Sequence, residues 1–283
     1  MKKLMIILFL TISFLSCQDV IEIDIPSEKP RLIIDAIIKV DTSLLFQTVR
    51  VKISLTDSFF GEVAVTGLKQ ITITNIDMEN SFGNPNFIVL LEVAPGIYEK
   101  GVSNLFLTEG ELIFQVDHED QLYLARTHYV PTVPIDTLKQ GDGTQNKDQT
   151  EIITTFTDNP DRDDFYLFDF DFSEFFLSKD VFYRGEQFQF SYLYDTVLEP
   201  GQEVNISILG IDRSFFNYMN LLIEQSKDEL DLFETPVATV RGNIINVTDI
   251  DNIDHFDNVD QTNNFALGYF AVVQTFTKTI VIE

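Results

Sequence analysis

Alternation of apolar and polar residues is the feature of this sequence that most constrains its fold. The segment 48–55, TVRVKISL, places Val49, Val51 and Ile53 on one face and Arg50 and Lys52 on the other. A period of two predicts a β-strand with one buried face. Five further segments rich in β-branched residues lie at 31–40, 70–75, 87–93, 111–117 and 122–128. Turn-forming pairs separate several of them, so we predict an immunoglobulin-like β-sandwich over residues 29–136.

Residues 137–151 break this pattern. Their sequence, TLKQGDGTQNKDQTE, has almost no apolar side chains and includes Gly141 and Gly143. Such a composition is typical of a linker or a long exposed loop. We therefore place a boundary here and predict that residues 152–283 form a second, β-rich domain.

The predicted second domain has an unusual density of aromatic residues. Two segments, FYLFDFDF at 165–172 and QFQFSYLY at 187–194, each place four aromatic residues on one strand face. The faces comprise Tyr166, Phe168, Phe170 and Phe172, and Phe188, Phe190, Tyr192 and Tyr194. Such faces can pack on each other as a core, and an aromatic ligand groove is the functional alternative.

One amphipathic helix is predicted at about residues 213–229. Phe215, Tyr218, Met219 and Leu222 recur at helical spacing and form an apolar stripe. Either Asp212 or Ser214 can cap its N-terminus. The whole chain is therefore predicted to be mainly β, with an N-terminal immunoglobulin-like sandwich followed by a β-rich domain with one helix.

The N-terminus has the organisation of a lipoprotein signal. Lys2 and Lys3 precede an apolar run that ends just before Cys17, the single cysteine of the chain. The run is shorter than the roughly 20 residues that span a bilayer, so we interpret residues 1–16 as a cleaved signal peptide. Cys17 is then the predicted lipidation site, because two or more acyl chains give a stable anchor. Residues 17–28 are predicted to be a lipidated tether that ends in a first strand.

Charge and cysteine content exclude several functions. The formal net charge is −26, which repels nucleic acid and anionic headgroups. With Cys17 acylated, no thiol is left for a disulfide, a nucleophile or a thiolate metal site. We therefore expect no nucleic-acid partner.

A search for catalytic motifs finds none. The three histidines, His118, His128 and His255, form no HExxH pair, and neither a GxSxG elbow nor a phosphate-binding glycine loop is present. We therefore predict no catalytic residues and no enzymatic activity. A calcium-assisted hydrolase that uses clustered carboxylates is the rival hypothesis.

Calcium is the one cofactor for which the sequence offers candidate ligands. The segment 248–264 carries five aspartates, Asp249, Asp251, Asp254, Asp257 and Asp260. Carboxylates on a loop suit a hard cation, although the spacing is not that of an EF-hand, and a solvated acidic loop is the alternative. A second cluster, at 158–164, is interpreted as turn residues before a strand, with calcium again as the alternative.

Several ordered motifs resemble those of a known family. They include VAPGIY at 93–98, DNP at 158–160, RGNI at 241–244 and LGYF at 267–270. With the lipoprotein signal, this set resembles the Bacteroidota lipoprotein family called domain of unknown function 4249. The motif residues singled out as structural are Gly96, Tyr98, Gly242, Asn243, Gly268 and Tyr269. We expect Gly242 and Gly268 to occupy backbone positions that exclude a side chain.

The resemblance also implies a location and a type of function. It implies a lipoprotein of the outer membrane, anchored through Cys17, of a kind often encoded beside a TonB-dependent receptor. We therefore expect a binding or docking accessory to a TonB-dependent transporter or another outer-membrane barrel. The acidic residues after Cys17 resemble a surface-export signal, so the cell surface is the expected location. The alternative within the same class is a structural subunit of an outer-membrane surface assembly or biogenesis complex.

Overall fold

The computed structural model describes residues 30–56, 62–65, 67–79, 85–142, 149–226, 239–248 and 265–283. The first half contains β1 (Leu32–Val40), β2 (Phe46–Thr56), β3 (Glu62–Ala64), β4 (Leu68–Asn75), β5 (Phe87–Val89), β6 (Leu91–Ala94), β7 (Ile97–Ser103), α1 (Asn104–Thr108), β8 (Glu111–His118) and β9 (Gln121–Val130). The second half contains β10 (Ile135–Gln140), β11 (Glu151–Thr157), β12 (Phe165–Asp169), β13 (Phe175–Lys179), β14 (Gln187–Leu193), β15 (Glu203–Ile211), α2 (Arg213–Ser226), β16 (Ile245–Asn246) and β17 (Leu267–Val281).

The first half forms the predicted β-sandwich. Strands β1, β2, β7 and β6 lie side by side in one layer, and β9, β8, β4 and β5 lie side by side in the other. These are the A-B-E-D and G-F-C-C′ orders of immunoglobulin-like domains. Strand β17 pairs with both β1 and β9 and so joins the two layers along one edge. In β2 the alternation predicted for TVRVKISL is confirmed, because Val49, Val51 and Ile53 are fully buried while Arg50 and Lys52 are exposed. The inner faces of the two layers share one apolar core.

The long strand β17 joins the two halves of the molecule. Its first part pairs in parallel with β1, from Ile33 opposite Leu267 to Val40 opposite Gln274. Its second part pairs antiparallel with β15, from Leu209 opposite Thr275 to Glu203 opposite Val281. The predicted boundary, which assigned all of 152–283 to a second domain, therefore needs correction. Because β17 is apolar on both faces over its first part, it completes the first sandwich before it enters the second.

A second correction concerns residues 137–151. Residues 135–140 form strand β10, which pairs antiparallel with β11, so the predicted linker is partly a hairpin. The strand is polar because it lies at the edge of the small sheet β10-β11-β14, where Ile135 is buried but alternate side chains face solvent. A strand at the edge of a sheet can bury a single face, so it needs few apolar residues, and β10 has few.

The two aromatic faces pack on each other, as predicted. Sheet β10-β11-β14 lies against the sheet of β13, β12, β15 and β17, with a separate core between them. Phe170 stacks on Tyr192 with ring centroids 4.0 Å apart, and Phe168 meets Phe190 edge to face at 4.9 Å. Phe172 is the exception, since it lies in the β12–β13 turn with φ +50° and is half exposed.

Helix α2 covers the opposite face of the β12-β15-β17 sheet. Asp212 caps it, because its Oδ1 accepts a hydrogen bond from the Phe215 amide at 2.7 Å. Phe215 and Met219 are buried, and Tyr218 and Leu222 pack at the edge of the same cluster. The predicted apolar stripe is thus confirmed over the described part of the helix, and it forms the third layer of the second half.

Candidate functional site

Gly242 and Gly268 mark a point where backbone segments touch. A Cβ atom on Gly242 would overlap the carbonyl oxygen of Gly268, and one on Gly268 would overlap the carbonyl oxygen of Ile34. Gly268 also has a φ of +99°, which other residues rarely adopt. The close backbone approach expected at both glycines is therefore confirmed. The RGNI segment lies directly against the first residues of β17.

Asn243 and Tyr269 connect this junction to two different parts of the molecule. The Asn243 amide binds the backbone of Phe270, with Nδ2 donating to the carbonyl at 2.8 Å and Oδ1 accepting from the N–H at 2.9 Å. Tyr269 packs in a different core cluster from Phe270 and stacks on Phe215 of α2, with ring centroids 4.5 Å apart. Burial raises the pKa of Tyr269 well above its usual range. The motif residues therefore connect the first sandwich to the helix.

Two arginine side chains lie over the ring of Phe265. The guanidinium carbon of Arg31 lies 4.4 Å from the ring centroid, and that of Arg241 lies 4.0 Å from it. Arg31 precedes β1, while Phe265 precedes β17, so these contacts gather the starts of both strands at one end of the first sandwich. We call this the proximal end, because the segment that leads back to Cys17 begins there.

Gly96 and Tyr98 form a separate structural corner. Gly96 has a φ of +72°, and a Cβ atom there would lie 2.6 Å from the carbonyl oxygen of Ile53. The Ile53 amide donates to the Gly96 carbonyl at 2.8 Å. Tyr98 is buried opposite Val51, and burial raises the pKa of its hydroxyl. Both residues fix the β6–β7 turn against β2.

The aspartates at 158–164 separate into buried and exposed members. Asp158 and Asp164 are buried and converge on Tyr166, whose hydroxyl donates to Asp158 and lies 3.0 Å from Asp164 Oδ2. The Arg162 Nε lies 2.8 and 2.9 Å from the two oxygens of Asp164. Burial is the main cause that raises the pKa of Asp164, and burial with the Asp158 bond raises that of Tyr166. The cluster is hydrogen-bonded internally and ties the turn to the aromatic core.

The other predicted site residues lie outside the described residues. They are Cys17 and the loop aspartates Asp249, Asp251, Asp254, Asp257 and Asp260. Lipidation at Cys17 and calcium binding by the loop therefore stay predictions. Within the described ranges, no three His, Cys, Asp or Glu side chains gather in a group that could hold a metal ion. Among the helices that the structure describes, none is long and apolar enough to span a membrane.

An exposed apolar surface lies at the end of the first sandwich opposite the proximal end. It consists of Leu44, Leu45, Phe46 and Leu105, which are 48%, 83%, 71% and 57% exposed. We call it the distal apolar rim. The β1–β2 turn and α1 carry it together, because the Asn104 amide donates to the Leu45 carbonyl at 2.9 Å. A concentration of large exposed apolar side chains is typical of an interaction site.

The rim is held by polar contacts rather than by burial of its own side chains. The Asn104 side chain donates to the carbonyls of Asp41 and Leu44 at 2.6 and 2.5 Å. Ser43 donates to Asp41 from both its amide and its hydroxyl, which lowers the pKa of the Asp41 carboxyl. The sequence interpretation missed this surface. Its signal is the run Leu44-Leu45-Phe46, three consecutive apolar residues that break the alternation where β2 begins.

Fold and motifs together define a mainly β protein built from an immunoglobulin-like sandwich, a second aromatic sandwich and one covering helix. The chain belongs to the family described as Domain of unknown function (DUF4249), whose model matches residues 18–279. The match includes the RGNI and LGYF segments that meet at the Gly242–Gly268 junction. A comparison with curated proteins finds no significant match.

Proposed function

We propose that this protein is an outer-membrane-anchored lipoprotein that docks on a TonB-dependent transporter as a binding accessory. The observation that carries the docking proposal is the distal apolar rim. Leu45 and Phe46 are adjacent in sequence and are 83% and 71% exposed. Exposed apolar residues on the surface of a monomer are usually scattered singly, so a contiguous group indicates an interaction site. Phenylalanine is among the residues that are enriched in protein interfaces relative to the rest of the surface.

The position of the rim suits a partner that projects from a membrane. Arg31 lies at the start of β1 and Leu44 follows its end, so the strand separates the proximal end from the rim by about 30 Å. The stretch between Cys17 and Pro30 can span at most about 45 Å. A protein anchored at Cys17 would therefore carry the rim at the end of the first sandwich that lies farther from the anchored segment.

Charge favours a protein partner over the lipid surface itself. The chain has a net charge of −26, which opposes close contact with anionic headgroups. The same charge opposes self-association, so exposed apolar residues are tolerated without aggregation. A protein surface with apolar contacts and a basic margin would complement both features.

The test is affinity purification from native membranes with variants of the rim. The wild-type protein is expected to recover a TonB-dependent transporter. A double variant, Leu45→Ser with Phe46→Ser, should recover at least about tenfold less, since each anchor removed costs on the order of 1–2 kcal/mol. Both side chains are exposed, so thermal stability should be unchanged.

The matched control is Phe182→Ser, which removes a side chain that is 91% exposed in the second half of the molecule. It should recover the transporter as well as the wild type does. Equal recovery by the rim variant would show that docking does not use the rim. Recovery of a biogenesis complex in place of a transporter would replace the transporter assignment by the alternative within the same class.

A further inference from the structure

Strand β14 lies at an edge of the second sandwich and lacks the features that protect an edge from pairing with another chain. Its seven residues, QFQFSYL, include no charged residue and no proline, and its pairing with β11 has no bulge. The other edge strands among the described residues are at most five residues long, carry a bulge as β10 does, or carry a lysine as β17 does. Short length, charge, proline and bulges are the usual protections of an edge strand, and β14 has none of them.

The backbone of β14 presents a row of hydrogen-bonding groups at this edge. The Asp158 N–H donates to the Glu186 carbonyl at 3.0 Å, and the Tyr194 N–H donates to the Thr150 carbonyl at 2.9 Å. Because backbone bonds alternate along an antiparallel pair, the even-numbered residues of β14 bond to β11 and the odd-numbered residues face away from it. The odd-numbered residues are Gln187, Gln189, Ser191 and Leu193. Among the described strands, none pairs with β14 on this side.

The aromatic core is only partly covered at the same edge. Phe188, Phe190 and Tyr192 pack against the core but remain partly exposed, whereas Phe168 of the facing sheet is fully buried. Phe190 stacks on Phe176 of β13 with ring centroids 4.7 Å apart, so the two edge strands β13 and β14 meet at this side of the sandwich. A strand added beside β14 would remove more of these rings from water, which is favourable.

A second copy of the chain supplies a strand that matches the free backbone groups. Two β14 strands can pair antiparallel with all four odd-numbered residues bonded only when Phe190 lies opposite Phe190 of the second copy. Gln187 then lies opposite Leu193, and Gln189 lies opposite Ser191. Every free N–H and C=O group of the strand has a partner in this register.

The side chains are complementary in the same register. Phe188 lies opposite Tyr192 of the second copy, so every directly opposed pair on the core-facing side is aromatic, and aromatic cross-strand pairs stabilise β-sheets. The chain has a net charge of −26, which opposes contact between two copies over most of their surface. Because β14 is uncharged, it is a stretch at which two copies can approach, and it offers no counter-charge to a basic partner.

We propose that β14 pairs antiparallel with β14 of a second copy, with Phe190 opposite itself, and so joins the three-stranded sheets of two copies into one continuous sheet. The dimer is symmetric, since each copy contributes the same strand. Its affinity rises with ionic strength, because salt screens the repulsion between two acidic chains. Strand β14 and the distal apolar rim share no residue, so this pairing is independent of docking at the rim.

The test is sedimentation velocity of the purified full chain with Cys17→Ala, which removes the single thiol and the predicted acyl chains. A monomer–dimer equilibrium is expected, and it should be tighter at about 0.5 M than at about 0.05 M salt. Ser191→Lys should weaken dimerisation at least about tenfold, because a lysine on the free edge opposes strand pairing. The Ser191 side chain is exposed, so thermal stability should be unchanged. The matched control is Thr137→Lys, an exposed change on β10 at the opposite edge of the same sheet, which should dimerise normally.

Disulfide formation tests the register in the same background. An oxidised mixture of Gln189→Cys and Ser191→Cys should give more linked dimer than either variant alone, because only directly opposed positions lie within the roughly 7 Å that a disulfide can bridge. Linkage chiefly within Gln189→Cys alone would overturn this register. A chain that stays monomeric, or a Ser191→Lys variant that dimerises as tightly as its parent, would overturn the pairing itself. So would a monomeric chain from which Ser191→Lys removes a different protein in affinity purification, because the edge would then bind that protein's strand.

Discussion

The side-chain amide of Asn243 holds the backbone of Phe270 by two hydrogen bonds, one to its carbonyl and one from its N–H, at 2.8 and 2.9 Å. This is the pairing that a neighbouring strand would make, supplied by a single side chain. It falls at the point where Gly242 crosses Gly268. The contact explains how the segment before the two-residue strand β16 is held against β17, the longest strand among the described residues.

Asn243→Ala should lower the free energy of unfolding by about 3 kcal/mol, because the polar backbone groups of Phe270 lose their partner in a buried position. Urea denaturation measures this. Asn220→Ala removes an amide that binds only Glu224 on the surface of α2, and it should cost less than about 0.5 kcal/mol. Similar losses in the two variants would contradict the structural role of Asn243.

Gly242→Val should destabilise the protein by about 3 kcal/mol or more, because the new side chain would overlap the backbone of β17 and nothing there can yield cheaply. Thermal unfolding should show a clearly lower midpoint. Gly101→Val is the matched control, since no atom lies within 4 Å of a Cβ at that position. A midpoint unchanged in Gly242→Val would mean that the two segments can move apart.

Phe170→Ala and Phe172→Ala should differ although the two residues are neighbours in the same sequence pattern. Phe170 is fully buried and stacks on Tyr192, so its truncation should cost about 3–5 kcal/mol. Phe172 is half exposed in a turn, so its loss should cost about 1 kcal/mol or less. Chemical denaturation of both variants tests this, and equal costs would place Phe172 in the core.

Asp164 should make stability depend on pH. Burial raises the pKa of the Asp164 carboxyl more than the neighbouring Arg162 guanidinium lowers it. The folded protein then holds the proton more tightly than the unfolded chain, so stability falls as pH rises from the ordinary value of about 3.9 through the raised one. The midpoint of the wild type relative to Asp164→Asn should therefore fall as pH increases across this window.

The control for this pH dependence is Ser173→Ala, an exposed change without a titrating group. Its midpoint relative to the wild type should stay constant with pH. If the difference between the wild type and Asp164→Asn stays equally constant, the pKa of Asp164 is not raised in the folded protein.

Cys17→Ala should release the protein from the membrane, because acyl chains on this thiol are the predicted anchor. Fractionation followed by a high-salt wash measures this, with the wild type expected in the membrane fraction. Retention of the variant after the wash would show that another contact holds the protein there.

Local pattern was sufficient to predict strands β1, β2, β4, β8 and β9 and the helix α2. It missed β3 and β7, and the segment 87–93, predicted as one strand, is divided between β5, which pairs with β4, and β6, which pairs with β7. In TVRVKISL and in the stripe Phe215, Tyr218 and Met219, the spacing of apolar residues records which face is buried, and that spacing depends only on backbone geometry. The approach of Gly242 and Gly268 to other backbone was also predictable, because glycine without a turn context indicates a position where a Cβ has no room.

Tertiary structure alone decided how distant segments combine. The first residues of Leu267–Val281 pair with β1 and the last with β15. The local sequence does not indicate these partners, because strands pair through backbone groups that every residue type except proline carries. For the same reason β10 escaped prediction: an edge strand needs little apolar sequence when a neighbour supplies its hydrogen bonds. The distal apolar rim is likewise a property of neighbours in space, because the burial or exposure of a given side chain depends on which segments of the folded chain pack against it.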